Sequence, residues 1–302
     1  MTKPIIVVAI GGNALLQRGE VMSCDNQKKS IAITAKALAE LSRDYRLVIV
    51  HGNGPQVGLL SLQNNAYKDC PAYPFDVLGA ETQGMIGYLI QQGLNAAIED
   101  RFTTTILTRM VIDPNDPAIR NPTKFIGPVY QENEARALAE RNHWIVKPDG
   151  AYWRRVVPSP EPKEILEIKA INDLLEKDHL VICGGGGGTP VVEKEGAYEG
   201  FEAVIDKDMT AALIAEQVGA KHLIILTDGT HVCVDWGEEN ERKLHEVSVR
   251  ELRSYEFSPG SMQPKVDACC RFVSNTGHKA HIGDLYYALD IVKGDSGTHI
   301  YR

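Results

Sequence analysis

The sequence predicts an α/β fold built on a mainly parallel sheet. Short β-branched runs alternate with longer helical patterns along most of the chain, and glycine clusters directly follow three of these runs. The length of 302 residues, with 43% hydrophobic and 24% charged content, is that of an ordinary globular chain. Such a chain is long enough to bury the core of one large domain or of two lobes.

The alternation begins with an apolar run at Ile5–Ile10 and a helical pattern at Gln27–Arg43. Runs of four to eight apolar residues favour strands, and amphipathic patterns of ten or more favour helices. The further strands expected are Leu47–His51, Thr104–Thr108, Leu180–Cys183, Leu223–Thr227, Ala280–Ile282 and Thr298–Tyr301. The further helices expected are Gln56–Tyr67, Val77–Glu99, Lys207–Val218 and Val266–Asn275.

A proline-rich stretch between Pro114 and Pro162 interrupts this pattern and contains one short helical segment, Glu132–Arg141. The stretch is longer than a simple connection between two elements requires. It predicts an inserted subdomain, or lid, at approximately residues 114–162. A plain surface excursion is the alternative.

Charge and composition narrow the class of partner. The net charge of −8 and the pI near 5.6 argue against binding to nucleic acid or to an anionic membrane, and they favour a small molecule. The opening apolar run ends in glycines and lacks the pattern of a signal peptide, so we expect a cytoplasmic protein. The six cysteines show no CxxC spacing, which predicts reduced core thiols and no cysteine metal site.

Three glycine clusters stand where strands are expected to end. Ligands of open parallel sheets gather at the carboxyl ends of the strands, where backbone N–H groups without side chains can surround a phosphate. The three clusters are Gly11, Gly12 and Asn13; Gly52, Asn53 and Gly54; and the run Gly184, Gly185, Gly186, Gly187 and Gly188. The run lacks the GK[ST] of a Walker A loop, and no GxGxxG opens a helix. The clusters therefore predict a phosphate site of another type, with plain tight turns as the alternative for each one alone.

Charged residues at two helix starts fit such a site. Asp206-Lys207-Asp208 begins one helical pattern, and Lys265 stands at the start of another. Lysine is unfavourable at this end of the helix dipole, so local stability does not explain it. Asp206 is read either as an N-cap or as a site residue, and Asp208 as a group that orients Lys207 or holds Mg²⁺. Phosphoryl transfer needs cations of this kind.

Seven stretches in register resemble the carbamate kinases of the amino acid kinase family: AIGGNA, VHGNGPQVG, NPTKFIGP, VVPSP, GGGGGTPVV, AVIDKD and GSMQPK. The resemblance implies a single amino acid kinase-type domain over residues 1–302, folded as an open three-layer αβα sandwich and usually homodimeric. It also implies an acyl-substrate lobe at approximately 1–203, which carries the lid, and a nucleotide lobe at approximately 204–302. The implied reaction is MgATP plus carbamate ⇌ MgADP plus carbamoyl phosphate, run toward ATP in a catabolic setting.

The resemblance also implies roles for individual residues. The catalytic cations would be Lys207 and Lys265, which clamp the phosphates, and the lid residue Lys124. Asp208 would organise the two clamp lysines, Lys207 and Lys265. The residues implied for the transferring phosphoryl group and the acyl substrate are Gly11, Gly12, Asn13, Gly52, Asn53 and Gly54. Those implied for the nucleotide are Gly184 to Gly188, Thr227, Lys207 and Lys265. Mg²⁺ would be carried by the nucleotide, with no protein ligand predicted. On this basis Gly186→Val should damage nucleotide use more than folding.

Two stretches depart from the family pattern. Residues 148–155 read PDGAYWRR where the family usually has DAGRGWR, and residues 228–231 read DGTH without the family's second acid. The first change affects the lid and the second a turn near the nucleotide. Two alternatives therefore stay open: a kinase for another small carboxylate, such as an N-acylated amino acid, and a non-catalytic sensor of carbamoyl phosphate or nucleotide.

Overall fold

A computed structural model describes residues 2–17, 19–67, 69–258 and 260–302, except for the side chain of Asn13. Within these residues the chain forms strands β1 to β17 and helices α1 to α10. The strands are β1 Ile5–Ile10, β2 Arg46–His51, β3 Thr103–Thr105, β4 Arg109–Ile112, β5 Lys124–Tyr130, β6 Ile145–Asp149, β7 Tyr152–Val157, β8 Pro162–Ile165, β9 Leu180–Ile182, β10 Thr189–Lys194, β11 Ala197–Gly200, β12 His222–Thr227, β13 Val232–Val234, β14 Arg242–Leu244, β15 Glu246–Ser248, β16 Lys279–Asp284 and β17 Thr298–Tyr301. The helices are α1 Cys24–Ser42, α2 Gly54–Ala66, α3 Phe75–Ala97, α4 Pro117–Arg120, α5 Glu132–Asn142, α6 Ile168–Glu176, α7 Lys207–Gln217, α8 Val249–Leu252, α9 Met262–Thr276 and α10 Ala288–Lys293.

An eight-stranded sheet forms the centre of the fold, in the order β15-β17-β16-β12-β1-β2-β9-β3. Its pairings are parallel except for that of β16 with β17. Strands β1 and β2 are buried along almost their whole length because helices cover both faces of the sheet. The predicted α/β fold with a mainly parallel sheet is confirmed.

The two faces of the sheet carry separate hydrophobic cores. Successive side chains of β1 point to opposite faces, so Val7 and Ala9 pack into one core and Ile6 and Val8 into the other. The first core contains apolar side chains of α6, α7 and α9, and the second contains those of α1, α3 and α10. The three-layer αβα arrangement that the resemblance implied is therefore confirmed.

The inserted stretch folds as a small subdomain. Strands β5, β7 and β6 form an antiparallel sheet of their own, in that order, and helix α5 packs against β7. The subdomain rests on α2, where a Cβ at Gly58 would lie 2.0 Å from Cα of Gly127 in β5. This approach requires glycine, because any larger residue would separate the subdomain from the helix. The alternative of a plain surface excursion does not describe this segment.

A second sheet was missed by the sequence analysis. Strands β11, β10, β4 and β8 form it, beside the main sheet. The predicted strand Thr104–Thr108 is in fact Thr103–Thr105, after which the chain leaves the main sheet and enters β4. A hydrogen bond to a side chain stabilises the segment that passes from one sheet to the other, because the backbone N–H of Thr108 donates to Oε1 of Gln83 at 2.8 Å. The β-branched run TTTILTRMVI contains no glycine or proline to mark the break.

Two smaller points concern helices that could cross a membrane and the expected burial of the cysteines. Among the described residues, no helix is long and apolar enough to cross a membrane. Cys183, Cys233, Cys269 and Cys270 are buried free thiols, which agrees with the expected core role. Cys24 and Cys70 are exposed, so the expectation was wrong for these two.

Three histidines on the neighbouring strands β12, β16 and β17 form a hydrogen-bonded chain. Nδ1 of His222 lies 3.0 Å from Nε2 of His281, and Nδ1 of His281 lies 2.8 Å from Nδ1 of His299. Burial lowers the pKa of His281 to about 3, and the charges of His222, His299 and Lys279 add to this effect. His281 is therefore neutral in the folded protein at physiological pH.

His281 should make the protein less stable in mild acid. Because the pKa is lower in the folded chain than in the unfolded one, the unfolded chain binds the proton first and stability falls as pH drops below about 6.5. Between pH 7 and pH 5 this linkage amounts to about 2 kcal/mol. Urea unfolding at both pH values should show a loss about 2 kcal/mol smaller in His281→Gln than in wild type, where buried His51 also contributes. Exposed His278 provides the control, and His278→Gln should leave the wild-type loss unchanged. An equal loss in His281→Gln and wild type would contradict the assignment.

Candidate active site

The parallel strands place the residues of interest at one edge of the main sheet. Gly11 follows β1, Gly52 follows β2, Gly184 lies two residues beyond β9, and β12 ends at Thr227. These strands are neighbours in the sheet and run in the same direction, so their carboxyl ends meet. The predicted clusters therefore share the edge at which ligands of open parallel sheets bind.

The first cluster borders an open cavity. Gly11 and Thr227 line a cavity of about 290 Å³ together with Asp284, at the ends of β1, β12 and β16. Gly12 is exposed, and a Cβ added there would meet no atom within 4 Å. The predicted contact of the Asn13 side chain lies outside the described residues. Space for a ligand is thus present at this strand end.

The loop Gly52–Gly54 lies between the lid and helix α7. A Cβ at Gly52 would lie 3.4 Å from Cδ of Lys207, and a Cβ at Gly54 would lie 3.8 Å from the carbonyl oxygen of Phe125 in β5. Gly52 thus leaves room for the stem of Lys207 beside the end of β2. The structure brings the second cluster, the lid and the lysine together.

Two of the predicted lysines share one buried carboxylate. Lys207 is the first residue of α7 and Lys265 lies in the first turns of α9. Asp208, whose side chain is 3% exposed, accepts a hydrogen bond from Lys207 through Oδ1 and one from Lys265 through Oδ2 at 3.3 Å. Helices α7 and α9 pack against each other through apolar side chains, which places their N-termini side by side. Burial lowers the pKa of Lys207, and the charge of Asp208 opposes that effect.

The third lysine reaches the same place from the lid. Lys124, the first residue of β5, donates to Oδ2 of Asp206 at 2.5 Å. Burial alone would lower the pKa of Lys124, but Asp206 reverses this and the pKa is raised. Burial would likewise raise the pKa of Asp206, yet Lys124 and Lys207 hold it far below its usual range. Both groups are therefore charged, and the pair joins the lid to the start of α7.

The five-glycine run is buried beneath this cluster. Gly184, Gly186, Gly187 and Gly188 have φ values between +62° and +92°, a region that side chains disfavour. A Cβ at Gly186 would lie 2.2 Å from Nδ2 of Asn53, and Asn53 itself is buried. The run is thus required both by its backbone conformation and by close packing.

The N–H groups of the run are partly used inside the protein. Gly184 donates to Oγ1 of Thr108 at 2.9 Å, Gly187 to the oxygen of Gly184 at 3.0 Å, and Gly188 to the oxygen of Gly185 at 3.0 Å. These groups stabilise the run itself, so the view of all five glycines as an open phosphate cradle was too simple. This packing argues against the expectation that Gly186→Val would damage nucleotide use more than folding, because a Cβ at Gly186 would overlap Asn53.

His51 lies under the same run. Its Nδ1 donates to the carbonyl oxygen of Gly52 at 2.9 Å, and a Cβ at Gly185 would lie 2.4 Å from its Nε2. Burial lowers the pKa of His51 to about 4, despite the hydrogen bond to Gly52, and Lys207 lowers it further. The imidazole is neutral and packed, which is how a structural histidine at a strand end behaves.

Two cations of the lid were not among the site residues predicted from the sequence. Lys147 in β6 and Arg154 in β7 are directly opposite each other across the lid sheet. With Lys124 and Asp206 they line a cavity of about 430 Å³ between the lid and the start of α9. Arg154 pairs with Asp149 at 3.4 Å, and Asp149 lines the same cavity, so three cations and two carboxylates face this space. The signal was present in the spacing of KPDGAYWR, a hairpin whose ends carry the two charges.

The site combines cations and carboxylates in a form that suits an anionic ligand. Lys124, Lys207 and Lys265 carry three positive charges, whereas Asp206 and Asp208 carry two negative ones. Such an arrangement stabilises the charge of a phosphoryl group in transfer. Within the described residues, no group of three or more histidine, cysteine or acidic side chains is arranged to hold a metal ion. The oxygens of Asp208 are occupied by lysines, so this carboxylate fits an organising role better than that of a metal ligand.

Comparisons with known proteins agree with this class of site. The profile of the amino acid kinase family matches residues 4–284. The chain is 52% identical over 295 residues to the carbamate kinase of Escherichia coli O6:H1, and 45% identical over 308 residues to that of Pyrococcus horikoshii, covering 98% of both chains in each case. It also resembles the solved structure of carbamate kinase from Giardia lamblia bound to AMP-PNP, with a TM-score of 0.90 and 38% identity over 100% of this chain and 99% of that one.

This chain belongs to the amino acid kinase family, and it is a phosphotransferase. Within that family its relatives of high identity are carbamate kinases, so the resemblance read from the seven sequence stretches is confirmed.

Proposed function

We propose that this protein catalyses ATP + carbamate ⇌ ADP + carbamoyl phosphate, as its relatives' names indicate. The observation that carries the proposal is the convergence of Lys124, Lys207 and Lys265 on two carboxylates at the carboxyl edge of the sheet. Full-length identity near 50% to carbamate kinases supports the same reaction.

The chemistry requires alignment and charge neutralisation more than acid–base catalysis. Carbamate already carries an anionic oxygen, so the reaction needs no general base. Lys207 and Lys265 would neutralise the phosphoryl oxygens as charge moves between donor and acceptor, and Asp208 would hold both ammonium groups in place. Lys124 would complete the cluster from the lid. A closed lid would also limit hydrolysis of carbamoyl phosphate.

The remaining assignments follow the strand ends. We assign the acyl substrate and transferring phosphoryl group to Gly11, Gly12 and Asn13 and to Gly52–Gly54, and the nucleotide to Thr227 and the edge of Gly184–Gly188. The two lobes would divide near residues 203 and 204. Mg²⁺ bound to the nucleotide phosphates would supply further charge neutralisation.

The setting of the enzyme is part of the same proposal. We infer a cytoplasmic enzyme that runs toward ATP and forms a homodimer. Helix α3 supports the dimer, because Val77, Glu81, Gly84 and Tyr88 form an exposed stripe along one face of that long helix.

The direct test is ATP formation from carbamoyl phosphate and MgADP by the purified, folded protein. We expect a rate far above the control without enzyme, and a loss of that rate when Mg²⁺ is chelated. A rate equal to the control would contradict the proposal. The altered lid at residues 148–155 makes a second acceptor the alternative, so a panel of small carboxylates with MgATP should be run in parallel. A faster rate with an N-acylated amino acid than with carbamate would select the alternative.

A further inference from the structure

Asp206 connects two parts of the molecule that are distant in sequence. Its Oδ1 accepts the backbone N–H groups of Asp208 at 2.9 Å and Met209 at 3.3 Å, which caps the start of α7. Its Oδ2 accepts Lys124 at 2.5 Å, across 82 residues of sequence. One oxygen therefore determines where α7 begins, and the other determines where the lid lysine sits.

The surroundings of the pair make it more than a surface contact. The side chains of Lys124 and Asp206 are 29% and 18% exposed, and both line the cavity between the lid and α9. The neighbouring pair of Lys207 and Asp208 is buried still more deeply. An ion pair at this depth is screened less by water than an exposed one, so its geometry is held more firmly.

The donors of Lys124 leave room for a ligand. An ammonium group has three N–H donors, and Asp206 occupies one of them. Within the described parts of the chain the two others have no partner, so they remain for a phosphoryl oxygen while the lysine stays bound to Asp206. A cation held in this way needs no reorientation when the phosphoryl group passes, which is how preorganised charge accelerates a reaction.

We propose that Asp206 is a positioning residue, which seats the lid lysine Lys124 at the start of α7 in the reacting complex. The inference rests on the proposed phosphoryl transfer but assigns a part of it to a residue outside the clamp of Lys207, Asp208 and Lys265. The competing arrangement is a resting latch, in which Asp206 must release Lys124 before substrate binds.

Asp206→Asn separates positioning from capping, since asparagine caps helices about as well as aspartate but carries no charge. We expect kcat for ATP formation to fall roughly 10- to 100-fold because Lys124 loses its seat, while KM for MgADP stays within about twofold. Glu132→Gln is the matched control, because it also removes a lid carboxylate paired with a cation, Arg136, but on the exposed face of α5. It should leave kcat unchanged. A lower KM for carbamoyl phosphate with kcat preserved would show the resting latch and overturn the proposal.

A double-mutant cycle tests whether Asp206 acts through Lys124. In a Lys124→Ala background, Asp206→Asn should lower kcat by less than about twofold, because the residue that it positions is gone. Full additivity of the two effects would overturn the proposal. A purely structural role would instead lower the melting temperature and kcat together in both backgrounds. If Asp206→Asn does not fold, Asp206→Ser keeps a capping oxygen and takes its place in the cycle.

Hydrogen exchange separates this inference from the proposed reaction. Without any substrate, amides of β5 should exchange about tenfold faster in Asp206→Asn than in wild type, since the lid loses its anchor on α7. The Glu132→Gln variant should exchange like wild type. If the amides of β5 exchange at the wild-type rate in Asp206→Asn, the proposed positioning of Lys124 by Asp206 is wrong. If β5 exchanges faster in Asp206→Asn but the wild-type enzyme does not form ATP, only the proposed reaction is wrong.

Discussion

Replacing Lys207 with alanine should lower kcat for ATP formation by roughly 10³-fold, the order found when a phosphate-stabilising cation is removed. Lys207 begins α7 beside Gly52 and shares Asp208 with Lys265, so no other described lysine occupies its position. Steady-state kinetics with carbamoyl phosphate and MgADP measures the loss. Calorimetric titration with nucleotide measures the binding that remains.

Controls must separate the lost charge from lost stability. Lys207→Ala leaves Asp208 paired with Lys265 alone, so the loss of stability should be smaller than the about 3–5 kcal/mol that an uncompensated buried charge costs. Urea unfolding of Lys207→Ala measures this loss of stability separately from the loss of turnover. Lys194→Ala, on an exposed hairpin, should leave both unchanged. Turnover within tenfold of wild type in folded Lys207→Ala would contradict the clamp. A protein that signals by binding nucleotide, without catalysis, would keep its function in this variant.

Replacing Gly186 with valine should destabilise the protein by about 3–5 kcal/mol, from left-handed backbone strain and overpacking combined. The φ of Gly186 is +64°, and its Cβ would lie 2.2 Å from the side chain of buried Asn53. The substitution therefore pushes the loop after β2 away from the run. Urea unfolding at neutral pH measures the loss, and circular dichroism shows whether the variant folds at all.

Gly196 provides the matched control for this substitution. Its φ of +82° is similar, but a Cβ there would meet nothing within 4 Å. Gly196→Val should therefore cost only the backbone strain, about 1–2 kcal/mol. If Gly186→Val kept full stability and lost only nucleotide use, the packing explanation would be wrong. Equal losses of stability in the two variants would also contradict it.

Local sequence patterns were sufficient for seven of the eight strands of the main sheet, all but β15, and for the edge where the candidate site lies. The strand Ile5–Ile10 was predicted with the observed bounds, because a fully buried strand of a parallel sheet is an unbroken apolar run ended by glycine. Helix α7 was predicted at its observed start, since Asp206 is a capping residue directly before it. Strand ends of a parallel sheet share one edge, so the glycine clusters could be placed together before any contact was known.

The small sheets could not be predicted in the same way. Strand β4 pairs with β10, which lies about 80 residues later, and with β8. Short, partly exposed strands have weak periodicity, and their partners come from distant parts of the chain. The lid strands β5 to β7 contain prolines and charges, whose placement makes sense only around the cavity that they line.

The sequence by itself determined the α/β class and the sheet edge where the candidate site lies, because these depend on local patterns and on the polarity of parallel strands. Lys207 and Lys265 were proposed from their positions at helix starts, and Lys124 from the family resemblance alone. Only the tertiary structure decided that Lys124 pairs with Asp206 while Lys207 and Lys265 share Asp208. It also showed that the run of five glycines packs so closely against its neighbours, such as Asn53, that larger residues would not fit. Both points depend on side-chain distances between segments far apart in the chain, and these are set only when the helices and the lid pack against the sheet.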